Sequence, residues 1–473
     1  METVERWGVY EIGIKGPVDD GAWWNPGFSA RFTHENGQVL EVPGFYDGDG
    51  RYRVRFMPSL EGKWRYRTAG PIGALGAKEG EFVCGPANAG NHGPVGVRDV
   101  FHFAYADGTP HRSFGTTCYA WIHMNEALQE ETLRTLRTAP FNKMRMCVFP
   151  KDYSYCKDEP ALFPFPRGKD GKWDLRRFDP AFWAHLERRV LDLGKLGIEA
   201  DLILFHPYDR WGFSSMPAEV DDAYLRYAVA RLSAFRNVWW SMANEFDFMK
   251  SKKPEDWDRF FQVVRDSDPY GRLRSIHNGA VFYDHGKPWV THCSVQRAEP
   301  LQSVGWRERY RKPVVIDECQ YEGDIPEGWG NISAAELVHR FWLAVASGAY
   351  AGHGETYLDP KDLLWWSKGG RLRGESPARI AFLRRIVESL DGPLTPRHRW
   401  DYYYAATPGG SLLLYLDAHQ PKVFRDDLPD GRRYRVTLLD PWAMTETDLG
   451  THQGRVELSL PVRPRQALLF RAE

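Results

Sequence analysis

The sequence predicts a multidomain α/β protein: a central (β/α)8 TIM barrel, an N-terminal β-sandwich before it and a small C-terminal antiparallel β-domain after it. Three observations carry that expectation. Alternating polar and apolar runs with dense turn signals occupy residues 1–90. Eight apolar runs, mostly separated by segments long enough for a covering helix, fill residues 97–391. Strand-like alternation returns over residues 392–473.

In the first segment, Arg51-Tyr52-Arg53-Val54-Arg55-Phe56 has the period of two expected of a half-buried strand. Asp47-Gly48-Asp49-Gly50 turns into it, and Glu61-Gly62 turns into Lys63-Trp64-Arg65-Tyr66-Arg67-Thr68. Gly85, Pro86, Gly90, Gly93 and Pro94 mark residues 85–95 as a linker. The barrel strands are expected at Ser113–Trp121, Asn142–Phe149, Glu199–His206, Asn237–Asn244, Leu273–His277, Trp289–Ser294, Pro313–Cys319 and Ala349–Glu355. Helices start at Asp179-Pro180, at the capping box Ser333-Ala334-Ala335-Glu336, and at Ser376-Pro377. No Gly-rich phosphate loop follows the first strand, which favours a closed barrel over a doubly wound sheet. The last segment has strand-like runs at Asp401–Ala406, Ser411–Leu416, Arg433–Leu438, Arg455–Leu460 and Gln466–Phe470, with Pro408-Gly409-Gly410 as a turn.

Composition narrows the function classes. A formal net charge of -1 with interleaved signs gives no basic face for nucleic acid. No run approaches the roughly 20 apolar residues of a membrane helix. Met1–Tyr10 lacks a basic region followed by an apolar run, and several of the six cysteines lie inside apolar strand-like runs as small hydrophobes. Both features point to a cytoplasmic protein, and the flanking β-domains leave homo-oligomer formation open. The 19 tryptophans suit either a large core or stacking against sugar rings.

Barrel enzymes carry their reactive groups at the C-terminal ends of strands. The fourth run ends in Asn244-Glu245 and the seventh in Asp317-Glu318, so two carboxyls emerge at one rim from distant strands. Strand alternation groups Glu318 with Ile316 and Val314, and turns Asp317 the other way as the structural acid. Asp247 is the exchange candidate for Glu245. Such a pair fits glycoside cleavage, which needs an acid for the departing oxygen and a carboxylate at the anomeric carbon. A gap of about 5–5.5 Å gives retention and one of about 6.5–9.5 Å gives inversion. Pairing of one or both acids with rim arginines is the plain structural alternative.

At these residues the chain resembles the clan A glycoside hydrolases, whose catalytic glutamates follow strands four and seven. The resemblance implies Glu245 as acid/base, Glu318 as nucleophile, and Asn244 as a ligand of the sugar 2-hydroxyl. It also implies retention, usually at a β-glycosidic or related furanosidic bond. A narrower resemblance spans nearly the whole chain. Gly62-Lys63-Trp64-Arg65-Tyr66, Gly352-His353-Gly354-Glu355-Thr356-Tyr357 and Leu364-Trp365-Trp366-Ser367 are similar to motifs of glycosidases related to apiosidase-like barrel proteins.

Around the pair, His206, His277 and Asn278 are candidate sugar ligands at strand ends, with His292 a weaker one in the sixth strand. Glu355 either binds a hydroxyl or partners another acid, which would allow an inverting pair with Glu245. Trp121, Trp211, Trp365 and Trp366 are stacking candidates. No close-spaced ligand motif accompanies the histidines, so neither metal nor cofactor is expected, and the expected partner is a carbohydrate substrate. A catalytically silent carbohydrate-binding protein is the alternative from another class.

Overall fold

A computed structural model describes residues 2–70, 76, 78–397, 402–429 and 431–473. Asp401, the first residue of one expected strand, lies outside the described residues.

The N-terminal domain is a sandwich of two sheets. One has the strand order Glu2–Glu5, Glu79–Gly85, Gly62–Ala69, Ser29–His34, Val39–Pro43; the other joins Tyr10–Lys15, Arg51–Phe56 and Phe45–Tyr46. The period of two in Arg51–Phe56 buries Tyr52, Val54 and Phe56. Phe56 stacks on Phe32 across the sheets at 4.0 Å, and Tyr10 on Phe82 at 4.0 Å. The alternate arginine Arg55 reaches the barrel. Its guanidinium binds Glu187 (Nη2–Oε2 3.1 Å) and donates to the Arg231 carbonyl at 2.8 Å, while Arg231 pairs with Asp47 at 2.7 Å. Charged groups of both domains thus satisfy one another at a buried junction.

Seven of the eight expected barrel strands form in shorter versions, and the sixth forms in a shifted position. They are β1 (Phe114–Thr117), β2 (Lys143–Cys147), β3 (Glu199–Phe205), β4 (Val238–Ala243), β5 (Arg274–Ser275), β6 (Cys293–Gln296), β7 (Val314–Glu318) and β8 (Tyr350–His353). They pair in parallel in the order β5-β4-β3-β2-β1-β8-β7-β6. A parallel bridge between His277 and Ser294 spans the remaining gap between β5 and β6. The one strand clearly displaced from expectation is β6. The segment Trp289–His292 precedes it instead of forming it, and the strand continues to Gln296.

Helices cover the strands. Asp179 caps Pro180–Lys195 by accepting from Ala181 N at 2.9 Å. Ser333 caps Ala334–Ala346 by accepting from Glu336 N at 3.2 Å. Only half of that capping box forms, because the Glu336 carboxylate binds Arg340 at 3.1 Å and Arg465 at 2.7 Å. No helix lies between β5 and β6; a loop anchored on Asp247 fills that stretch. Among the described residues no helix is long and apolar enough to cross a membrane.

The expected linker leads into an element that sequence patterning did not reveal. Val95–Arg98, His102–Tyr105 and Pro110–His111 form a small antiparallel sheet. Its Val95 and Phe103 pack with Trp239, Leu273, Val315 and Tyr350 and close the N-terminal end of the barrel. The C-terminal domain is a six-stranded sheet with a separate two-stranded ribbon, enclosing Leu414, Phe424, Tyr434, Val436 and Phe470. It docks on helix Ala334–Ala346, where Tyr415 stacks on Trp342 and its hydroxyl meets His339 Nδ1 at 2.8 Å.

Candidate active site

The barrel interior is polar in two tiers. In the lower tier, Lys143 on β2 lies 2.7 Å from Asp201 on β3 and 2.6 Å from Asp317 on β7. Asp317 also accepts from Ser294 Oγ at 2.6 Å. These contacts cross the barrel, so Asp317 faces inward, opposite to the outward placement that alternation predicts. The reason is a bulge. Val295 pairs with Ile316 and Gln296 with Glu318, leaving Asp317 as the extra residue. A bulge breaks the alternation and lets neighbouring side chains share one face. Asp317 and Glu318 therefore both serve the interior, one above the other. Asp317 does keep the structural part expected of it: burial opposes its charge, but Lys143 and Arg145 hold its carboxyl well below the usual range.

The upper tier holds the candidate chemistry. Glu318 Oε1 accepts from the Tyr119 hydroxyl and lies 3.3 Å from Arg145 Nη1 and 3.3 Å from His277 Nε2. Burial alone would raise its pKa; the His277, Arg145 and Tyr119 contacts outweigh it and hold the carboxyl at about 2. Asn244 Oδ1 lies 2.9 Å from Tyr119 Oη and accepts from Arg145 Nη2 at 3.1 Å, so one tyrosine–arginine pair orients both residues.

Glu245 lives in a different setting. It follows β4 in the left-handed region, with φ 47°, a conformation unusual for a side-chain-bearing residue and frequent at functional turns. Its Oε2 accepts from the Tyr208 hydroxyl and from Asn244 Nδ2 at 3.2 Å, and its Oε1 from Gln296 Nε2 at 3.2 Å. Among the described residues no lysine or arginine pairs with it. Burial first, then the charge of Glu318, raises its pKa. Gln296 is oriented by its neighbours: its oxygen faces His277 Nε2 at 3.2 Å, and its backbone N–H donates to Asn278 Oδ1 at 3.2 Å.

Lys151, in the loop after β2, has its ammonium among ring faces. It is 3.9 Å from the ring centroid of Tyr119, 4.5 Å from Tyr208, 4.7 Å from Trp366 and 5.2 Å from Tyr153. Burial lowers its pKa, while Glu245 and Glu318 act to raise it. Trp329 packs on Trp366 at 4.9 Å and extends this aromatic wall.

Of the residues singled out from sequence, the fold brings together Asn244, Glu245, His277, Glu318 and Trp366, with Asn278 behind Gln296. The others lie apart. His206 packs 6.5 Å from the Tyr208 ring, with Nε2 3.1 Å from the Phe149 carbonyl. His292 sits at the opposite end of the barrel against Phe103 and Trp239. Trp121 is buried against Gln129, Trp365 is buried with its N–H on Thr116, and Trp211 pairs with Glu159 in an outer loop. Asp247 accepts from the backbone of Gly279, Ala280 and Val281, which anchors the β5–β6 loop. Glu355 is buried beside His353 and Glu322, where it accepts from Arg373 N and Gly374 N, not from the catalytic candidates.

Tyr119, Arg145, Lys151, Tyr208 and Gln296 escape a reading of strand-end acids. Only Lys143-Met144-Arg145 carries a signal: cations two apart inside a buried strand mark a polar inner face.

Comparison with known proteins bears on the family and the fold. A family model described as "Apiosidase-like, catalytic domain" matches residues 99–369, and two domains of unknown function, DUF5060 and DUF5605, match residues 3–70 and 400–471. A solved structure from Bacteroides vulgatus ATCC 8482, provisionally described as a glycoside hydrolase, is 39% identical over 100% of both chains, with a TM-score of 0.95. A glycoside hydrolase family 5 structure from the same organism shares the fold at 14% identity, covering 80% of this chain and 93% of its own, with a TM-score of 0.61. No curated protein matches the chain.

Proposed function

The chain belongs to the family of apiosidase-like catalytic domains and is a glycoside hydrolase, and from that premise we propose that it works with retention, by double displacement at a β-glycosidic or related furanosidic bond. The observation that carries the acid and nucleophile roles is the unequal setting of the two carboxyls. Double displacement in place of inversion rests on their positions after β4 and β7, the placement that the clan resemblance ties to retention. Glu318 is surrounded by groups that favour its charge, whereas Glu245 is buried, pairs with no lysine or arginine among the described residues, and faces the Glu318 charge.

The roles follow from that asymmetry. Ionised Glu318 attacks the anomeric carbon while protonated Glu245 delivers its proton to the departing oxygen. The covalent intermediate removes the charge of Glu318, and with it one cause of the raised Glu245 pKa. Glu245 then accepts a proton from water, which attacks the anomeric carbon and releases Glu318. Asn244, oriented by Arg145, is suited to the sugar 2-hydroxyl, and Trp366 with Trp329 supplies apolar faces for the ring. No cofactor enters any step.

The test is turnover of a panel of aryl β-glycosides, pyranosides and furanosides including an apioside, with proton NMR of the first-formed product. Retention of anomeric configuration is expected. Glu318→Ala should lose activity by about 10³-fold or more, since it removes the attacking group. Immediate appearance of the opposite anomer, or equal turnover by Glu318→Ala, overturns the reading.

A further inference from the structure

Three buried side chains outside the catalytic cluster converge at the ends of β7 and β8. Glu322, His353 and Glu355 each offer a ligand atom within 4.8 Å of the others. A short parallel pairing of Glu322 with Glu355 fixes the two carboxylates side by side. Glu322 Oε1 accepts from Tyr357 Oη and Glu375 N, both at 2.7 Å, and its Oε2 from Ser376 N at 3.1 Å. Glu355 accepts from Arg373 N at 2.5 Å and Gly374 N at 2.9 Å. All these donors are neutral. Among the described residues no lysine or arginine pairs with either carboxylate, and the Arg373 guanidinium goes to Asp359.

The third member points to what completes the group. His353 is fully buried, and its ring is fixed by stacking on Phe141 at 4.5 Å. Nδ1 lies 3.0 Å from Thr116 Oγ1, which also accepts from Trp365 Nε1 at 2.8 Å. Among the described residues Nε2 has no hydrogen-bond partner, and it stands 4.0 Å from Glu355 Oε2. A histidine held through one ring nitrogen by a hydroxyl, with the other directed at carboxylates, has the arrangement of a metal ligand with its outer support. Among the described residues Glu322 Oε2 and Glu355 Oε2 each accept one hydrogen bond, which leaves each oxygen a second lone pair. Close backbone approach completes the enclosure: a Cβ on Gly374 would lie 2.5 Å from Glu322 Oε2.

We propose that Glu322, His353 and Glu355 bind one divalent first-row cation of the zinc or manganese class. One nitrogen and two carboxylate oxygens match the ligand preferences of those ions better than those of calcium or magnesium, which take oxygen-only shells. The cation ties the ends of β7 and β8 to the segment 373–376 that opens helix Ser376–Glu388. Its part is structural, and it stands independently of the hydrolytic reading.

The test uses the full chain, stripped with a chelator and titrated with ZnCl2, MnCl2, CaCl2 or MgCl2 under calorimetry and thermal denaturation. Zinc or manganese is expected to bind at one equivalent per chain and to raise Tm by a few degrees. His353→Gln and Glu355→Gln should lose both effects. No binding by the wild type, or an unchanged equivalent in folded His353→Gln, overturns the proposal; a proton shared between the glutamates would then satisfy the group. Should the variants fail to fold, Co2+ replaces the test ion in the wild type. A d–d spectrum showing nitrogen and oxygen ligation at one equivalent supports the site, and its absence overturns it.

Discussion

Arg145 Nη1 lies 3.3 Å from Glu318 Oε1, whereas among the described residues no lysine or arginine pairs with Glu245. The two carboxyls therefore separate in pKa, Glu318 to about 2 and Glu245 upward. In a pH profile of kcat/KM, the acid limb belongs to ionisation of Glu318 and falls below the ordinary assay range. The basic limb belongs to loss of the Glu245 proton, so activity declines as pH rises through its raised pKa. Glu245→Gln should remove that limb and lower turnover of unactivated glycosides by about 10²–10⁴-fold, while kcat/KM for a dinitrophenyl glycoside, whose leaving group needs no acid, stays nearly unchanged. A basic limb that survives in Glu245→Gln would assign it to another group.

Tyr119 donates to Glu318 and lies beside Asn244, so its hydroxyl supports the nucleophile without itself reacting. A hydrogen bond to a charged group contributes about 1.5–3 kcal/mol, so Tyr119→Phe should cost roughly 10–100-fold in kcat/KM. The loss is expected to fall mainly on kcat, with Tm nearly unchanged because the ring remains packed. A fall in Tm with unaltered kinetics would make Tyr119 a packing residue only.

The fold and the acid pair are legible in the sequence for physical reasons that do not extend to their surroundings. Strands such as Val238–Ala243 and Val314–Glu318 are nearly continuous apolar runs, because helices cover one face and the barrel encloses the other. Their abrupt ends at Asn244-Glu245 and Asp317-Glu318 expose the rim. That both adjacent acids face inward is not legible, since the bulge at Asp317 depends on the register of β6 against β7. Gln296 is hidden for a related reason. The β-prone Trp289-Val290-Thr291 imitates a strand, and the true strand begins at Cys293, where tertiary pairing outweighs local pattern. Lys151 and Tyr208 lie in loops, where no periodicity marks them.

Lys151 is positioned to act on Glu245 through space. Its positive charge lowers the Glu245 pKa, partly opposing burial and the Glu318 charge. Lys151→Met keeps an unbranched chain among Tyr119, Tyr208 and Trp366 and removes the charge. The Glu245 pKa should then rise further, and the basic limb of kcat/KM should move to higher pH. A limb that stays in place would show that the aromatic wall, and not the charge, is what Lys151 serves.

Below the site, Lys143 lies between Asp201 and Asp317 with all three side chains almost fully buried. Removing one partner from a buried ion cluster leaves charge uncompensated, at about 3–5 kcal/mol. Lys143→Met should therefore lower the unfolding free energy at neutral pH by that order in chemical denaturation. The pH dependence gives the decisive sign. The Asp317 pKa is depressed in the folded wild type, so the stability it contributes is present above the unfolded carboxyl value of about 3.9 and is lost as pH falls through the folded one. In Lys143→Met the two facing carboxyls repel, and acid relieves them by protonation. The gap between variant and wild type should be widest near pH 7 and narrow toward pH 4. A gap constant with pH would mean that Lys143 acts through its packing against Trp239, whose ring centroid lies 5.6 Å from its Nζ, and not through charge.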